Sequence, residues 1–334
     1  MKILVVDDDD IALEISKKIL EEENYEVVIA EDGESALEIL RSTDIQIVIS
    51  DWNMPKVTGI DLWHFLRSSP LVGYIYIILV TARNSKEDMV KGLEAGADDF
   101  ISKPFEPAEL LVRIINAERV LALETTSMML FSLAKLAESK DADTGNHLDR
   151  MRAYATVLAR NLESNPTIRP QLPPHFSDLI YRTSPLHDIG KVGIPDYILL
   201  KPGSLNDEEW KVMKRHAEIG AETLDACLKL SPGAEYLKIA RDSAWAHHEH
   251  WDGTGYPRGL KGEEIPLCAR IVALADVYDA VTVKRVYKAA ISHDVARGII
   301  INGIGTQFDP MIVNAFLEVE DQLQEIKKNF PDKS

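Results

Sequence analysis

The sequence predicts an α/β domain with a five-stranded parallel sheet in the first third of the chain, followed by a second domain. The chain has 334 residues, whereas single domains commonly have about 100 to 200. Short apolar runs alternate with amphipathic stretches over residues 1–104. In the rest of the chain, histidines and aspartates recur in patterned groups. We therefore expect two folding units of different construction.

Five apolar runs of the first domain have the length and composition of buried strands, at residues 3–6, 27–30, 47–49, 75–80 and 99–101. Because helical patterns separate these runs, they form βα repeats, which give a parallel sheet covered by helices on both faces. Ligands of such sheets bind at the carboxyl ends of the strands. The polar residues that follow these strands are Asp7, Asp8, Asp51, Thr81 and Lys103.

These side chains suit a divalent cation and a phosphoryl group. Three carboxylates at one sheet edge repel one another, and a hard cation such as Mg²⁺ offsets that repulsion through oxygen ligation. A lysine and a hydroxyl beside them can hold phosphoryl oxygens. The alternative is that residues 7–10 only cap the next helix and that Lys103 is a surface residue.

The composition argues against several classes of protein. Aspartate plus glutamate outnumber lysine plus arginine by 54 to 37, a formal charge of −17, and such a field opposes DNA binding. The two cysteines, Cys227 and Cys268, lie outside any CxxC spacing, which disfavours a disulfide framework or a thiolate zinc site. No apolar stretch has the roughly 20 residues of a membrane span, and no signal peptide is recognisable. We expect a cytoplasmic protein.

A long helical segment joins the two domains. Residues 108–139 contain neither glycine nor proline and repeat apolar residues at helical spacing, and Pro107 suits a first helical turn. An uninterrupted helix would be about 48 Å long at 1.5 Å per residue. Two helices with a break near Thr125 and Thr126 are the alternative. In either case the apolar stripe offers a surface for a second subunit, as in a homodimer.

Histidines and carboxylates of the second domain predict a metal centre. The candidates are His147, His187, Asp188, His216, His247, His248 and Asp276. Imidazole with carboxylate suits Fe, Mn, Zn or Ni, although an isolated histidine is more often a satisfied core residue. On a helix, adjacent His187 and Asp188 point about 100° apart, so the carboxylate can bridge two metals. Bridging is what a two-metal hydrolase needs, and such a centre indicates phosphoester hydrolysis.

The first domain resembles the response-regulator receiver family through VVDDD, ISDWNMP, VTAR and SKPF, which occur in order. The resemblance implies a flavodoxin-like fold in which Asp51 accepts a phosphoryl group from a partner histidine kinase. It also implies a Mg²⁺ site and a switch, with Mg²⁺ bound by Asp7, Asp8, Asp51 and the Asn53 carbonyl, and the switch formed by Thr81, Phe100 and Lys103.

The second domain resembles the HD-GYP phosphodiesterases through HDIGK, HHEHWDGTGYPRGLKGEEIP, ARIVALADVYDA and GTQFDP. The resemblance implies an all-α HD-superfamily fold that hydrolyses cyclic di-GMP to pGpG and onward to GMP, with phosphorylation controlling the rate. It implies two or three divalent metals, Fe or Mn, bound by the seven candidates above, with Asp188 as the bridge.

The same resemblance assigns further roles. Asp188 and Lys191 would be catalytic, and Lys191 would bind substrate phosphate together with Arg285 and Lys288, although Val286 stands where the family usually has proline. The loop containing Gly255, Tyr256 and Pro257 would shape the site and contact diguanylate cyclase (GGDEF) proteins.

Asp143 occupies the position where trinuclear members of that family use a glutamate to reach a further metal. Because aspartate is one methylene shorter, we expect a third ion to be held weakly there. We expect the receiver at 1–122, a helical linker at 123–140 and the phosphodiesterase at 141–334. The alternatives are a non-catalytic nucleotide sensor or scaffold, and an HD phosphohydrolase for another cyclic dinucleotide.

Overall fold

The structure is a computed structural model of the chain, and it describes residues 1–54, 57–68, 74–82, 86–140, 146–283 and 290–331. Internal contacts divide the chain into two compact units, Met1–Thr126 and Ser127–Ser334. The domain boundaries expected at 122 and 140 stay predictions.

The first unit contains the predicted parallel sheet. Its strands are β1 (Lys2–Val6), β2 (Glu26–Ala30), β3 (Ile47–Asp51), β4 (Tyr76–Thr81) and β5 (Asp99–Ser102). The five strands predicted from the sequence agree with these bounds to within two residues. All neighbouring strands pair in parallel, in the order β2-β1-β3-β4-β5. The α/β prediction is therefore confirmed.

Helices lie between these strands, namely α1 (Asp10–Glu22), α2 (Gly33–Ser42), α3 (Gly59–Ser68) and α4 (Lys86–Glu94). Two apolar cores form, because alternate residues of one strand contribute to different cores: Ile3 and Val5 belong to one, and Leu4 and Val6 to the other. This division matches a sheet that is covered on both faces.

The joining segment is one helix, α5 (Pro107–Glu138). Its first turn begins at the predicted proline. Thr125 and Thr126 do not interrupt it, because their hydroxyls donate to the carbonyls of Leu121 and Ala122, each at 2.9 Å. This bond back to the preceding turn is how a mid-helix threonine satisfies its hydroxyl. The uninterrupted alternative is the one that the structure contains.

Among the described helices, α5 alone has the length and apolar composition to cross a membrane, and only 11% of its most apolar window is buried. One such helix is weak evidence for a span. Some of its apolar residues are accounted for by packing, since Leu110 and Ile114 belong to a core of the first unit and Ala134 to the core of the second. The expected absence of a membrane span stays a prediction.

The regular secondary structure of the second unit is helical in its described part, as predicted, apart from one isolated bridge between Ile304 and Phe308. After α5 come α6 (His147–Ser164), α7 (Phe176–Thr183), α8 (Asp196–Leu199), α9 (Asp207–Leu230), α10 (Glu235–Ala246), α11 (Leu267–Thr282), α12 (His293–Asn302) and α13 (Pro310–Asn329). Short 3-10 helices are Arg169–Gln171, Ser184–Gly193 and Gly262–Glu264. Edge-to-face rings of Tyr154, Tyr278 and Phe316 connect α6, α11 and α13 in the core.

Candidate phospho-acceptor site and metal centre

The predicted acidic site of the first unit is assembled at the carboxyl ends of the strands. Ligand oxygens of Asp7, Asp8 and Asp51 all lie within 4.8 Å of one another. The Lys103 ammonium lies 2.6 Å from Asp51 Oδ2 and 2.5 Å from Asp7 Oδ2. The capping alternative applies to Asp9 instead, whose side chain accepts from the amide of Ile11.

The environment of this site favours a cation. Asp7 is 5% exposed, and burial raises the pKa of its carboxyl although Lys103 acts in the opposite direction. The Asn53 amide donates to Asp51 Oδ1 at 3.0 Å, which brings the Asn53 backbone to the acidic group. Thr81 ends β4 and is buried, and its carbonyl accepts from the Lys103 amide at 2.8 Å. Phe100 lies half-buried in β5.

The histidine and aspartate of HDIGK lie on the 3-10 helix Ser184–Gly193, and the α-helical geometry assumed from the sequence is wrong. With about three residues per turn, His187 and Asp188 point about 120° apart, and residues three apart are eclipsed. Lys191 therefore stands directly over Asp188, and its Nζ lies 2.9 Å from Asp188 Oδ2. The Asp188 carboxylate and the Lys191 ammonium therefore form an ion pair.

The glycine of the same motif lets this 3-10 helix approach α9. A Cβ at Gly190 would lie 2.0 Å from the carbonyl oxygen of His216 and 2.5 Å from the Gly220 amide nitrogen. Any larger side chain would separate the two elements. Glycine at this position therefore brings Asp188 and His216 together.

One group of candidate metal ligands surrounds Asp188. It contains Asp188, His216, His247 and His248, whose ligand atoms all lie within 4.8 Å of one another. His216 projects from α9, and His247 and His248 follow the last residue of α10. Asp188 Oδ1 lies 3.3 Å from His216 Nε2 and 3.6 Å from His247 Nε2.

A second group of candidate ligands is formed by His147, His187 and Asp276, again within 4.8 Å. His147 is the first residue of α6, and Asp276 lies on α11. Asp188 Oδ2 lies 3.4 Å from His187 Nε2, whereas Oδ1 faces the other group. The two oxygens of Asp188 thus point toward different ligand groups, which is the arrangement that a bridging carboxylate requires.

The hydrogen bonds of the imidazoles test whether a metal fits. Nδ1 of His187, His216 and His247 lies within hydrogen-bonding distance of backbone carbonyls, at 2.8, 2.8 and 3.0 Å. A neutral ring that donates from Nδ1 presents a lone pair at Nε2. All three Nε2 atoms are buried without a hydrogen-bond partner among the described residues, as is Asp188 Oδ1. Divalent cations would satisfy these atoms.

The electrostatics of the cluster are set by the Asp188 carboxylate and by burial. Burial opposes protonation of His187, but the Asp188 carboxylate outweighs it and raises the pKa of His187 to about 9. Burial lowers the pKa of His216 to about 4. Lys191 and His187 outweigh the effect of burial on Asp188 and hold its pKa well below the usual range. The pKa values of His187 and His216 are thus shifted in opposite directions, although both rings lie near the Asp188 carboxylate.

The sequence interpretation missed two buried residues that orient His147. The Asp279 carboxylate lies 2.7 Å from His147 Nδ1 and accepts from Arg150 Nε at 2.6 Å. Arg150 and Asp279 are 1% and 2% exposed. One signal was present, because Asp279 follows Asp276 by three residues and so shares its face of α11.

The GYP loop closes one side of the centre and is held by a residue that the sequence interpretation also missed. The buried Glu249 carboxylate accepts from the amides of Arg258 at 2.8 Å and Leu260 at 3.1 Å. A Cβ at Gly255 would lie 2.3 Å from the His250 nitrogen, so the loop needs glycine there. The Tyr256 ring stacks on His248, with 4.7 Å between ring centroids.

The two ligand groups open into a cavity of about 320 Å³, whose lining includes His147, Asp188, Lys191, His216, His248, Tyr256 and Asp276. Pro257 lies in the loop beside it. Asp143, Arg285 and Lys288 fall outside the described residues, and their expected roles stay predictions.

Comparisons with known proteins agree with this division. Residues 3–115 match the response regulator receiver domain, and residues 132–312 match the HD domain. A probable cyclic di-GMP phosphodiesterase of Vibrio cholerae is 40% identical over 99% of this chain and 80% of that protein.

Two further relatives match different shares of the chain. The cyclic di-GMP phosphodiesterase response regulator RpfG of Xanthomonas campestris is 34% identical over 99% of this chain and 90% of its own. A 3'3'-cGAMP-specific phosphodiesterase of Vibrio cholerae is 37% identical over 63% of this chain and 38% of its own. The chain therefore belongs to the family of response regulators in which a receiver domain precedes an HD domain.

Proposed function

We propose that this protein is a metal-dependent phosphodiesterase that hydrolyses cyclic di-GMP under the control of receiver phosphorylation. The observation that carries the proposal is the position of Asp188 between two groups of buried ligand atoms, beside a cavity that Lys191 also lines. The names of the relatives that cover nearly the whole chain supply the substrate.

Divalent metal use accompanies the HD domain, and Mg²⁺ binding accompanies the receiver. We propose Fe or Mn for the HD site, because its candidate ligands are imidazoles and carboxylates without thiolate. Two adjacent divalent cations supply an acidified water and neutralise the phosphoryl oxygens of an in-line displacement. We propose two firmly held ions, with a third depending on Asp143.

The chain's own residues would orient the substrate. Lys191 places a positive charge next to Asp188 on the cavity wall, where it would attract a phosphate oxygen. Burial raises the pKa of the Tyr256 hydroxyl far above its usual value, so the ring stays neutral and its hydroxyl is available as a donor. Arg285 and Lys288 would add cations for the second phosphate. We propose pGpG as the first product and GMP as a slower one.

Control would begin at Asp51, phosphorylated by a partner histidine kinase. Lys103 lies 2.6 Å from the Asp51 carboxylate, where it would also pair with an acyl phosphate. A coupling free energy of about 1 to 3 kcal/mol would change hydrolysis roughly 5- to 150-fold. Contact with diguanylate cyclases, a homodimer and a cytoplasmic location belong to the proposal as well.

A second candidate substrate is 3'3'-cGAMP, because a relative specific for it matches 63% of the chain. A non-catalytic sensor or scaffold is disfavoured, because the seven predicted ligands are all present and come together in two groups. Loss of catalysis usually accompanies loss of such ligands.

Turnover by the purified full-length protein tests the proposal. Cyclic di-GMP and 3'3'-cGAMP are compared in defined Mn²⁺ or Fe²⁺, with and without an acyl-phosphate mimic. We expect faster hydrolysis of cyclic di-GMP and a rate that changes with the mimic. Faster hydrolysis of 3'3'-cGAMP would make it the substrate in place of cyclic di-GMP. Binding of the dinucleotide without turnover would favour the non-catalytic sensor. Equal rates with and without the mimic would contradict control by phosphorylation.

A further inference from the structure

A half-buried glutamate that the sequence analysis did not single out lies beside the candidate metal centre. Glu138 is the last residue of α5. It lines the same cavity as His147, Asp188, Lys191 and Asp276. All five residues belong to the second unit, Ser127–Ser334. Glu138 therefore faces the ligand cluster from a helix that carries none of the predicted ligands.

One oxygen of the Glu138 carboxylate lacks a hydrogen-bond partner in the part of the chain that the structure describes. Its Oε1 atom exposes less than 1 Å² and has no hydrogen-bond partner among the described residues. An ionised carboxylate in such a place is costly unless something pairs with it. Burial raises the pKa of Glu138 to about 7, although His147 and His187 act to lower it. His147 and Asp276 of the second ligand group line the same cavity as Glu138, so the carboxylate shares this space with that group.

That ligand group is short of donors. His147, His187 and Asp276 offer three ligand atoms, whereas a protein-bound transition metal usually has at least four ligands. Asp188 Oδ2 can add one from the side of His187. A further anionic oxygen on the cavity side would help to complete the coordination and neutralise the cation.

We propose that Glu138 binds a divalent cation at the end of the centre formed by His147, His187 and Asp276. This inference rests on the metal centre of the proposed function and adds a ligand to it. Glu138 would supply a carboxylate at that end independently of Asp143. The proposal also explains why α5 ends with an acidic side chain that lines the cavity.

Metal binding by the full-length protein tests the inference. Glu138→Gln keeps the size of the side chain and removes its charge, and Glu222→Gln changes an exposed glutamate of α9 as the matched control. Each protein is stripped with a chelator, titrated with Mn²⁺ by calorimetry and analysed for metal content after desalting. We expect Glu138→Gln to lose about 10- to 100-fold in affinity for one ion, and the control to match the wild type.

Thermal unfolding distinguishes a ligand from a structural residue. In chelator, the thermal midpoint of Glu138→Gln should be at or above that of the wild type, because a negative charge with one buried, unpartnered oxygen is gone. In Mn²⁺, its midpoint should rise less. A lower midpoint in chelator with an unchanged Mn²⁺ response would show a structural role and overturn the inference.

The remaining outcomes separate this inference from the proposed function. Unchanged Mn²⁺ affinity in Glu138→Gln, with cyclic di-GMP still hydrolysed, would overturn the ligand and leave the function. Weakened Mn²⁺ binding in that variant, with no hydrolysis by the wild type, would support the ligand and remove the function. If Glu138→Gln does not fold, Glu138→Asp replaces it, because the shorter carboxylate should also weaken binding.

Discussion

The carboxylate of Asp279 lies 2.7 Å from Nδ1 of His147, whereas Nε2 of the same ring faces the candidate metal ligands. His147 Nε2 faces Asp276 at 3.6 Å. A carboxylate that holds one nitrogen of a histidine fixes the ring and makes the other nitrogen a better ligand. The buried Arg150 guanidinium holds Asp279 in turn.

Asp279→Asn should therefore weaken metal binding about 10- to 100-fold, since the amide keeps the shape of the side chain but loses its charge. Calorimetric titration with Mn²⁺ measures the affinity. Because Arg150 would lose its buried partner, the thermal midpoint should also fall, and circular dichroism checks that the variant is folded. A folded Asp279→Asn protein with wild-type affinity would contradict this role.

Asp188→Ala should abolish hydrolysis and lower the metal content, because Asp188 is the one carboxylate that faces both ligand groups in the described residues. Lys191→Ala should keep the metal and reduce turnover about 100-fold, as expected for loss of one charged group that stabilises the transition state. Metal analysis after desalting and a turnover assay are run on both proteins. Full metal content and full activity in Asp188→Ala would refute the site.

Glu249→Gln should loosen the GYP loop without removing metal. The carboxylate accepts two backbone amides, and an amide side chain can replace only one acceptor, so we expect a loss of stability of about 1.5 to 3 kcal/mol. Chemical denaturation measures the loss, with Glu263→Gln, an exposed glutamate, as the control. Equal stability of the two variants would show that the loop does not depend on Glu249.

Asp51→Asn should abolish acyl phosphorylation, because Asp51 is the carboxylate that ends β3 and contacts Lys103. Asp9→Asn changes the nearby helix cap and should leave phosphorylation intact. Both proteins are incubated with a small phosphodonor, and acid-labile phosphate is counted. Label that persists in Asp51→Asn would place the acceptor elsewhere.

Asp143→Glu should raise metal stoichiometry and shift the products toward GMP, because the longer side chain reaches a further ion and anchors the terminal phosphate of pGpG. The native protein should accumulate pGpG. Elemental analysis after desalting and product chromatography measure the two effects. Three firmly held ions per native chain would count against the short aspartate as the limiting ligand.

The sequence by itself predicted the sheet and most of the candidate ligands that the structure brings together. Strand patterning is local, and side chains that follow parallel strands meet at one edge, so Asp7, Asp51 and Lys103 could be placed together without coordinates. The candidate ligands of the helical unit were identifiable as residue types in short motifs, such as His187 with Asp188. The α-helical angle assumed for that pair was wrong because the segment is a 3-10 helix.

Only the tertiary structure decided that the two candidate ligand groups share Asp188, and which side chains orient the candidate ligands. His147 and Asp279 are 132 residues apart in the chain, and no periodicity records that their helices pack together. Glu138 has no local motif, and its proximity to the candidate centre depends on where α5 ends within the second unit. Such contacts are set by packing between distant elements, whereas sequence patterns report on neighbours along the chain.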